Sequence, residues 1–195
     1  FEEAQDAVVA NFEAALSKLS AAGVTISRRR FDVFDAMLES SGAHGTLATA
    51  EAFFALGSQV DGPNGKQIDR RVVSRIERGR HQTAADYIAI TETRRALNQQ
   101  LGAEMPGPTF LVMPTVAITA PEIAPLDADD DVFHATNLTA LRNTMIGNYF
   151  DLPGFTIPSG ADGNGLPTGI LFNAYTGQDE LLMCYMQSIE QTVNA

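Results

Sequence analysis

The sequence predicts an α/β fold. Three observations carry this. Apolar residues recur at helical spacing through the first half. The later half holds nearly unbroken apolar runs between prolines and glycines, as buried strands do. The composition shifts at the same place. Residues 1–95 hold 12 of the 13 basic residues, whereas residues 96–195 hold Arg142 alone against 11 acidic residues and eight of the nine prolines. Proline is poorly tolerated inside helices, so strands and turns are expected there. The 195 residues thus read as a single or partial domain, with 1–105 mainly helical and 106–195 supplying sheet strands and a C-terminal helix.

Residues 2–22 place Ala4, Val8, Phe12, Ala15, Leu16 and Leu19 on one helical face, and Gly23 can end the helix. Val24, Thr25 and Ile26 form a short β-prone run before Arg28, Arg29 and Arg30. Residues 31–39 and 47–57 read as helical pieces with Phe31, Phe34, Leu38, Phe53 and Leu56 inward. Residues 61–65 are a turn. A helix from Ile68 to Arg78, with Val72 and Ile76 on one face, stops at Gly79. Thr83 and Asp86 match a capping box that opens a helix running to Gly102. Residues 109–115 suit a buried strand, and a proline-rich loop follows. Residues 136–147 read as a helix through Leu138, Leu141 and Met145. Residues 154–158 and 167–174 are strands joined by a turn at Asp162, Gly163, Asn164 and Gly165. The last helix runs from about Gln178 to Val193.

Composition removes several classes of function. The net charge of −11 argues against a nucleic-acid partner, because phosphate binding needs a basic face. No apolar run reaches the roughly 18 residues of a membrane span, so no membrane partner is expected. Phe1, Glu2, Glu3 and Asp6 do not read as a secretory signal. A cytoplasmic protein, and a polypeptide that begins inside a longer one, are the expectations. The lone Cys184 excludes an internal disulfide, and its apolar surroundings mark it as core.

Reactive constellations are scarce. His44, His81 and His134 lie far apart and read as surface residues. Asp127, Asp129, Asp130 and Asp131 lack the alternating ligands and distal glutamate of a calcium loop, and read as a solvated loop. Ser40-Ser41-Gly42 lacks the Gly-x-Ser-x-Gly elbow and reads as a loop between helices. The Arg28–Arg30 and Arg70-Arg71 clusters read as solvated or salt-bridged faces. No metal and no cofactor are expected. Residue chemistry alone stops at an acidic α/β domain.

Five segments in order go further. They are Arg75, Gly79, Asp86, Tyr87 and Arg94; Phe110 to Thr115 with Ala120-Pro121; Asn148 with Leu152-Pro153; Ile157-Pro158 with Gly160; and Gly165-Leu166-Pro167-Thr168-Gly169-Ile170 with Asp179 and Leu182. Together they resemble the C-terminal region of the amidase signature family of serine hydrolases over about residues 68–190. The resemblance implies the C-terminal part of an amidase signature fold, a mixed β-sheet flanked by helices in which residues 109–115, 154–158 and 167–174 are strands. It implies cleavage of a carboxamide C–N bond through a Ser–cis-Ser–Lys triad on an upstream, glycine- and serine-rich segment. This sequence has no such run, and Lys18 and Lys66 are its only lysines, so no catalytic residue is assigned. The implied partners are a small-molecule amide and an N-terminal amidase segment, and a homo-oligomer is allowed. Leu141, Arg142, Met145 and Tyr149 are the expected substrate-binding residues. Amidotransferase subunits of the family place an aspartate near the position of Leu141, so leucine speaks for an apolar or different acyl group. The same four residues could equally pack a helix on the sheet. The alternative to an enzyme is a noncatalytic small-molecule or protein-binding module on the same fold.

Overall fold

The computed structural model describes residues 3–195, with Phe1 and Glu2 outside the described residues. In chain order the elements are α1 (Asp6–Ala21), α2 (Asp32–His44), α3 (Leu47–Val60), a 3-10 turn (Gly65–Gln67), α4 (Arg70–Gly79), α5 (Ala84–Glu104), β1 (Leu111–Pro114), α6 (Ile123–Ala128), α7 (Asp130–Tyr149), β2 (Gly154–Ala161), β3 (Pro167–Asn173) and α8 (Asp179–Asn194). They fall into two compact units. One comprises the stretches up to residue 30 and from 104 onward, the other residues 31–103.

The first unit is built around β3. The sheet order is β1-β3-β2, and both pairings are antiparallel. The central strand faces Leu111 across from Asn173 on one side and Gly154 across from Asn173 on the other. Its residues 170–173 are all buried. Alternation sends Ile170 and Phe172 to one face and Leu171 and Asn173 to the other. On the first face they join Ile157 and Ala174 in a core with Phe12, Ala15, Leu16 and Leu19 of α1 and Leu182, Met186 and Val193 of α8. Lys18 Nζ ties the two helices by donating to Val193 O at 2.8 Å. The β2–β3 turn closes on Asp162, whose carboxylate accepts the Asn164 and Leu166 amides at 2.8 and 2.9 Å. These bonds, that of Leu166 foremost, hold the Asp162 carboxyl below the usual carboxylate range. A bulge between Pro158 and Gly160 bends β2. There Asn11 Nδ2 donates to Ala161 O and Thr168 Oγ1, both at 3.0 Å, and fixes α1 to the bulge.

The second unit is helical. Gly79 lies so close to α3 that an added Cβ would collide with the Thr49 carbonyl oxygen, which explains a glycine at the end of α4. Gln82 joins three segments: its Oε1 accepts from Thr49 Oγ1 at 2.6 Å, and its Nε2 donates to His44 O at 2.9 Å. The capping box expected at α5 is present. Thr83 N donates to Asp86 Oδ2 at 2.9 Å, and Asp86 N to Thr83 Oγ1 at 3.1 Å. His44 Nδ1 lies 3.0 Å from Asp86 Oδ1.

The structure corrects several expectations. The first helix starts at Asp6, later than residue 2. Residues 24–26 form no strand, since no neighbouring strand is there to pair with them. Leu38, Leu56 and Val72 are exposed, not inward. Ser40, Ser41 and Gly42 belong to α2, which continues to His44 and stops at Gly45 with φ 81°. Cys184 is exposed, because the buried stripe of α8 follows Leu182, Met186 and Val193 and leaves position 184 on the other side. The acidic cluster is no loop. Asp129 caps α7 by accepting the Asp131 and Val132 amides, and carboxylates at a helix N-terminus are favoured by its dipole. That cap starts α7 at Asp130, six residues before the expected position.

The Asp86 clamp generates an acid-sensitivity prediction. Hydrogen bonds from Thr83 and then His44 lower the Asp86 carboxyl to about 2. An unfolded aspartate titrates near ~3.9, so the clamp contributes fully above that pH and is lost as pH falls toward about 2. Thermal melts between pH 6 and pH 2 should show this acid-side loss of stability, and Asp86→Asn should flatten it while lowering the neutral-pH melting temperature.

Candidate functional site

Helix α7 carries the expected binding residues. Leu141, Arg142, Met145 and Tyr149 stand at i, i+1, i+4 and i+8, so they share one side of the helix. Leu141 is 46% and Met145 37% exposed. Arg142 is half-buried, with Nη1 3.8 Å from Glu3 Oε2. Tyr149 is half-buried and meets the Phe150 ring edge-on, with centroids 4.9 Å apart. The helix thus brings the four together. Two of them, Leu141 and Met145, lie in the open.

Residues beyond those four anchor the helix. Gly147 is the one buried residue of α7. It faces the sheet, where an added Cβ would sit 3.3 Å from Asn173 Nδ2. Asn173 is itself buried, and its Oδ1 has no hydrogen-bond partner. Asn143 Nδ2 donates to Pro114 O at 2.7 Å and ties α7 to β1. On the sheet, Thr115 Oγ1 and Thr156 Oγ1 lie 2.7 Å apart above Gly169, whose lack of a side chain leaves them room. Sequence reasoning missed Asn143, Gly147 and Asn173. A polar residue ending the apolar run Ile170-Leu171-Phe172 was a visible sign of a special position. Asn143 and Gly147 carried no such sign within an ordinary helix.

This arrangement offers apolar contact, one guanidinium and neutral hydroxyls. The Thr49, Thr83 and Thr115 hydroxyls bond to an amide oxygen, a carboxylate and another hydroxyl, respectively. In the Thr83–Asp86–His44 cluster the aspartate stands in the middle, so the imidazole does not face the hydroxyl. Lys18 is engaged with Val193 O. Among the described residues no group of three His, Cys, Asp or Glu side chains is placed to hold a metal ion. No described helix is long and apolar enough to cross a membrane.

Comparison with known proteins gives a consistent picture. Residues 1–183 match the family described as Amidase. The 2-amino-5-chloromuconic acid deaminase of Comamonas testosteroni is 25% identical over 181 residues, covering 87% of this chain and 36% of its own length. The indoleacetamide hydrolase of Pseudomonas savastanoi is 38% identical over 84 residues, covering 43% of this chain and 17% of its own. Among solved structures, the allophanate hydrolase of Kluyveromyces lactis superposes with a TM-score of 0.74 at 20% identity, over 95% of this chain and 30% of that one. A 6-aminohexanoate cyclic dimer hydrolase with substrate gives 0.73 at 18% identity, over 98% and 42%. The two structures show a shared fold. The chain spans about a third or less of the curated relatives' length.

Gly147→Val should push α7 off the sheet. A loss of about 1–3 kcal/mol in chemical denaturation is expected, as for other overpacked contacts, whereas Leu141→Val on the open side should stay within about 0.5 kcal/mol.

Proposed function

The chain belongs to the amidase family, and on that footing we propose that it supplies the scaffold and the acyl-side wall of an amide hydrolase whose reactive groups lie on polypeptide outside this sequence. The observation that carries the reading is the ordered set of motifs, together with α7 presenting Leu141 and Met145 to the open. The reaction is cleavage of a carboxamide C–N bond. In the family resemblance, the second serine of a Ser–cis-Ser–Lys triad attacks the carbonyl and forms an acyl-enzyme. The bridging serine and a neutral lysine carry the proton to the leaving amine, and backbone amides of a glycine-rich loop stabilise the oxyanion. Water then releases the acid.

In this reading the chain's own residues bind and orient. Leu141 and Met145 contact an apolar acyl group. A leucine there offers no acceptor for an ammonium or amide, which supports an apolar acid portion. Arg142 and Tyr149 flank that contact. Asn143 and Gly147 hold α7 at a fixed height above β1 and β3, and so set the depth of the wall. Names of relatives such as indoleacetamide hydrolase and fatty acid amide hydrolase support amides with apolar acyl groups as the substrates to try first.

Two outcomes are expected. The 195-residue chain alone should release no ammonia from aryl or aliphatic carboxamides, whereas the chain joined to a segment carrying the Gly/Ser-rich signature should turn them over. Turnover by the chain alone would contradict the assignment; failure of the joined protein, with the fold intact, favours a noncatalytic binding module. In the joined enzyme Leu141→Asp should lower kcat/KM for apolar acyl amides by about 10- to 200-fold, the range of one lost apolar pocket contact, with a smaller effect on acetamide.

A further inference from the structure

We propose that the helical unit carries a binding site for a small organic cation, an ammonium group joined to an apolar body, in the groove between α3, α4 and the start of α5. The groove measures about 580 Å³, and its walls come from that unit alone. Small-molecule sites fall at about 300–1,000 Å³. Two glycines shape it. Gly79 lets α4 approach the Thr49 carbonyl, and an added Cβ at Gly57 would sit 2.8 Å from Phe53 Cε2, so the Phe53 ring lies against the α3 backbone there. Phe54 and Tyr87 bring two further aromatic rings to the wall. Phe54 is 92% exposed and Tyr87 42%. A lone exposed apolar side chain is ordinary. A nearly bare ring beside a groove with two more aromatics offers π faces to a ligand.

Charge selects the occupant. Glu51, Phe54, Ser58 and Asp61 follow one another at steps of three and four residues, so they form one stripe along α3 and its C-cap. A carboxylate therefore stands about one turn before Phe54 and another about two turns after it. On the α4 side Arg80 Nη2 donates to Asp61 Oδ1 at 2.6 Å, and Arg80 Nε to Glu77 Oε2 at 2.7 Å. The same guanidinium lies over the Phe53 ring, 4.7 Å from its centroid. The fold thus already holds one cation between carboxylates and against an aromatic face. Among the described residues no cation is placed over Phe54 or Tyr87. Glu51, Asp61 and Glu77 outnumber Arg80 at this rim, and His81 is the further basic group that acts on Glu77. An anion would meet the surplus carboxylates. A second copy of the chain would bring the same surplus against it, which is unfavourable across an interface. An organic cation suits both features, since ring quadrupoles and carboxylates each attract positive charge. The site does not depend on the hydrolase reading.

The test follows the fluorine NMR line of para-fluorobenzyl-trimethylammonium titrated with the 195-residue chain. Its carbon isostere, with neutral carbon in place of nitrogen, and para-fluorobenzoate are the counterparts. The cation should bind, and the benzoate should not. Phe54→Leu should weaken the cation by about two- to fivefold, as loss of an exposed cation–π contact does. It should leave the isostere unchanged, because leucine keeps the apolar contact. Glu51→Gln should likewise weaken the cation alone, and added salt should shrink that difference. Both side chains are exposed, so circular dichroism should be unchanged. Met183→Ala, at an exposed position in the other unit, should bind as the parent does. Absence of cation binding would overturn the proposal, as would benzoate binding of equal strength. So would Phe54→Leu and Glu51→Gln variants that bind the cation as the parent does, or that shift cation and isostere alike. A dimer in sedimentation equilibrium that Phe54→Leu dissolves would assign the groove to a second copy and overturn it too.

Discussion

The first unit depends on a single strand being buried on both faces. β3 pairs with a neighbour along each edge, and four consecutive residues, 170–173, are shielded from water. Ile170 and Phe172 anchor the core shared with α1 and α8. On the other face Asn173 sits under Gly147 of α7. Removing this strand would leave β1 and β2 with no sheet partner among the described residues, and would take the central buried surface from under α1, α8 and α7. Hydrophobic burial fixes one side of the sheet, and a close helix–strand approach made possible by glycine fixes the other.

The two faces differ in how complete they are. The α1–α8 side is a dry core of aliphatic and aromatic side chains. On the α7 side Gly147 is buried, most of the helix is half-buried, and Leu138, Leu141 and Met145 are exposed. Such asymmetry is costly for an isolated domain, because exposed apolar surface carries a penalty of about 25 cal/mol per Å² relative to burial.

What the sequence made legible follows from how local each signal is. The run Ile170-Leu171-Phe172 announced a buried strand, and Asp162 with its glycines announced the hairpin turn, because strand burial and turn chemistry are written in adjacent residues. Thr83 and Asp86 announced a cap for the same reason. The misses are tertiary. Whether Leu38, Leu56 or Cys184 is inward depends on which helix face finds a neighbour, and periodicity does not say that. The four acidic residues at 127–131 looked like a loop because charge density was weighed without the helix dipole that Asp129 and its neighbours serve. At the site, clustering of Leu141, Arg142 and Met145 was readable from helical spacing, whereas the anchors Asn143 and Asn173 act across long stretches of intervening chain and left little trace.

The central claim is that this polypeptide shapes an acyl-transfer pocket without containing its nucleophile. A serine-directed fluorophosphonate tests it most directly, because an activated hydroxyl displaces fluoride from phosphorus and leaves a mass-tagged adduct. Peptide mapping should find no adduct on the 195-residue chain, and in the joined enzyme a single adduct on the Gly/Ser-rich segment. A stoichiometric adduct on any serine or threonine of the chain itself would contradict the account.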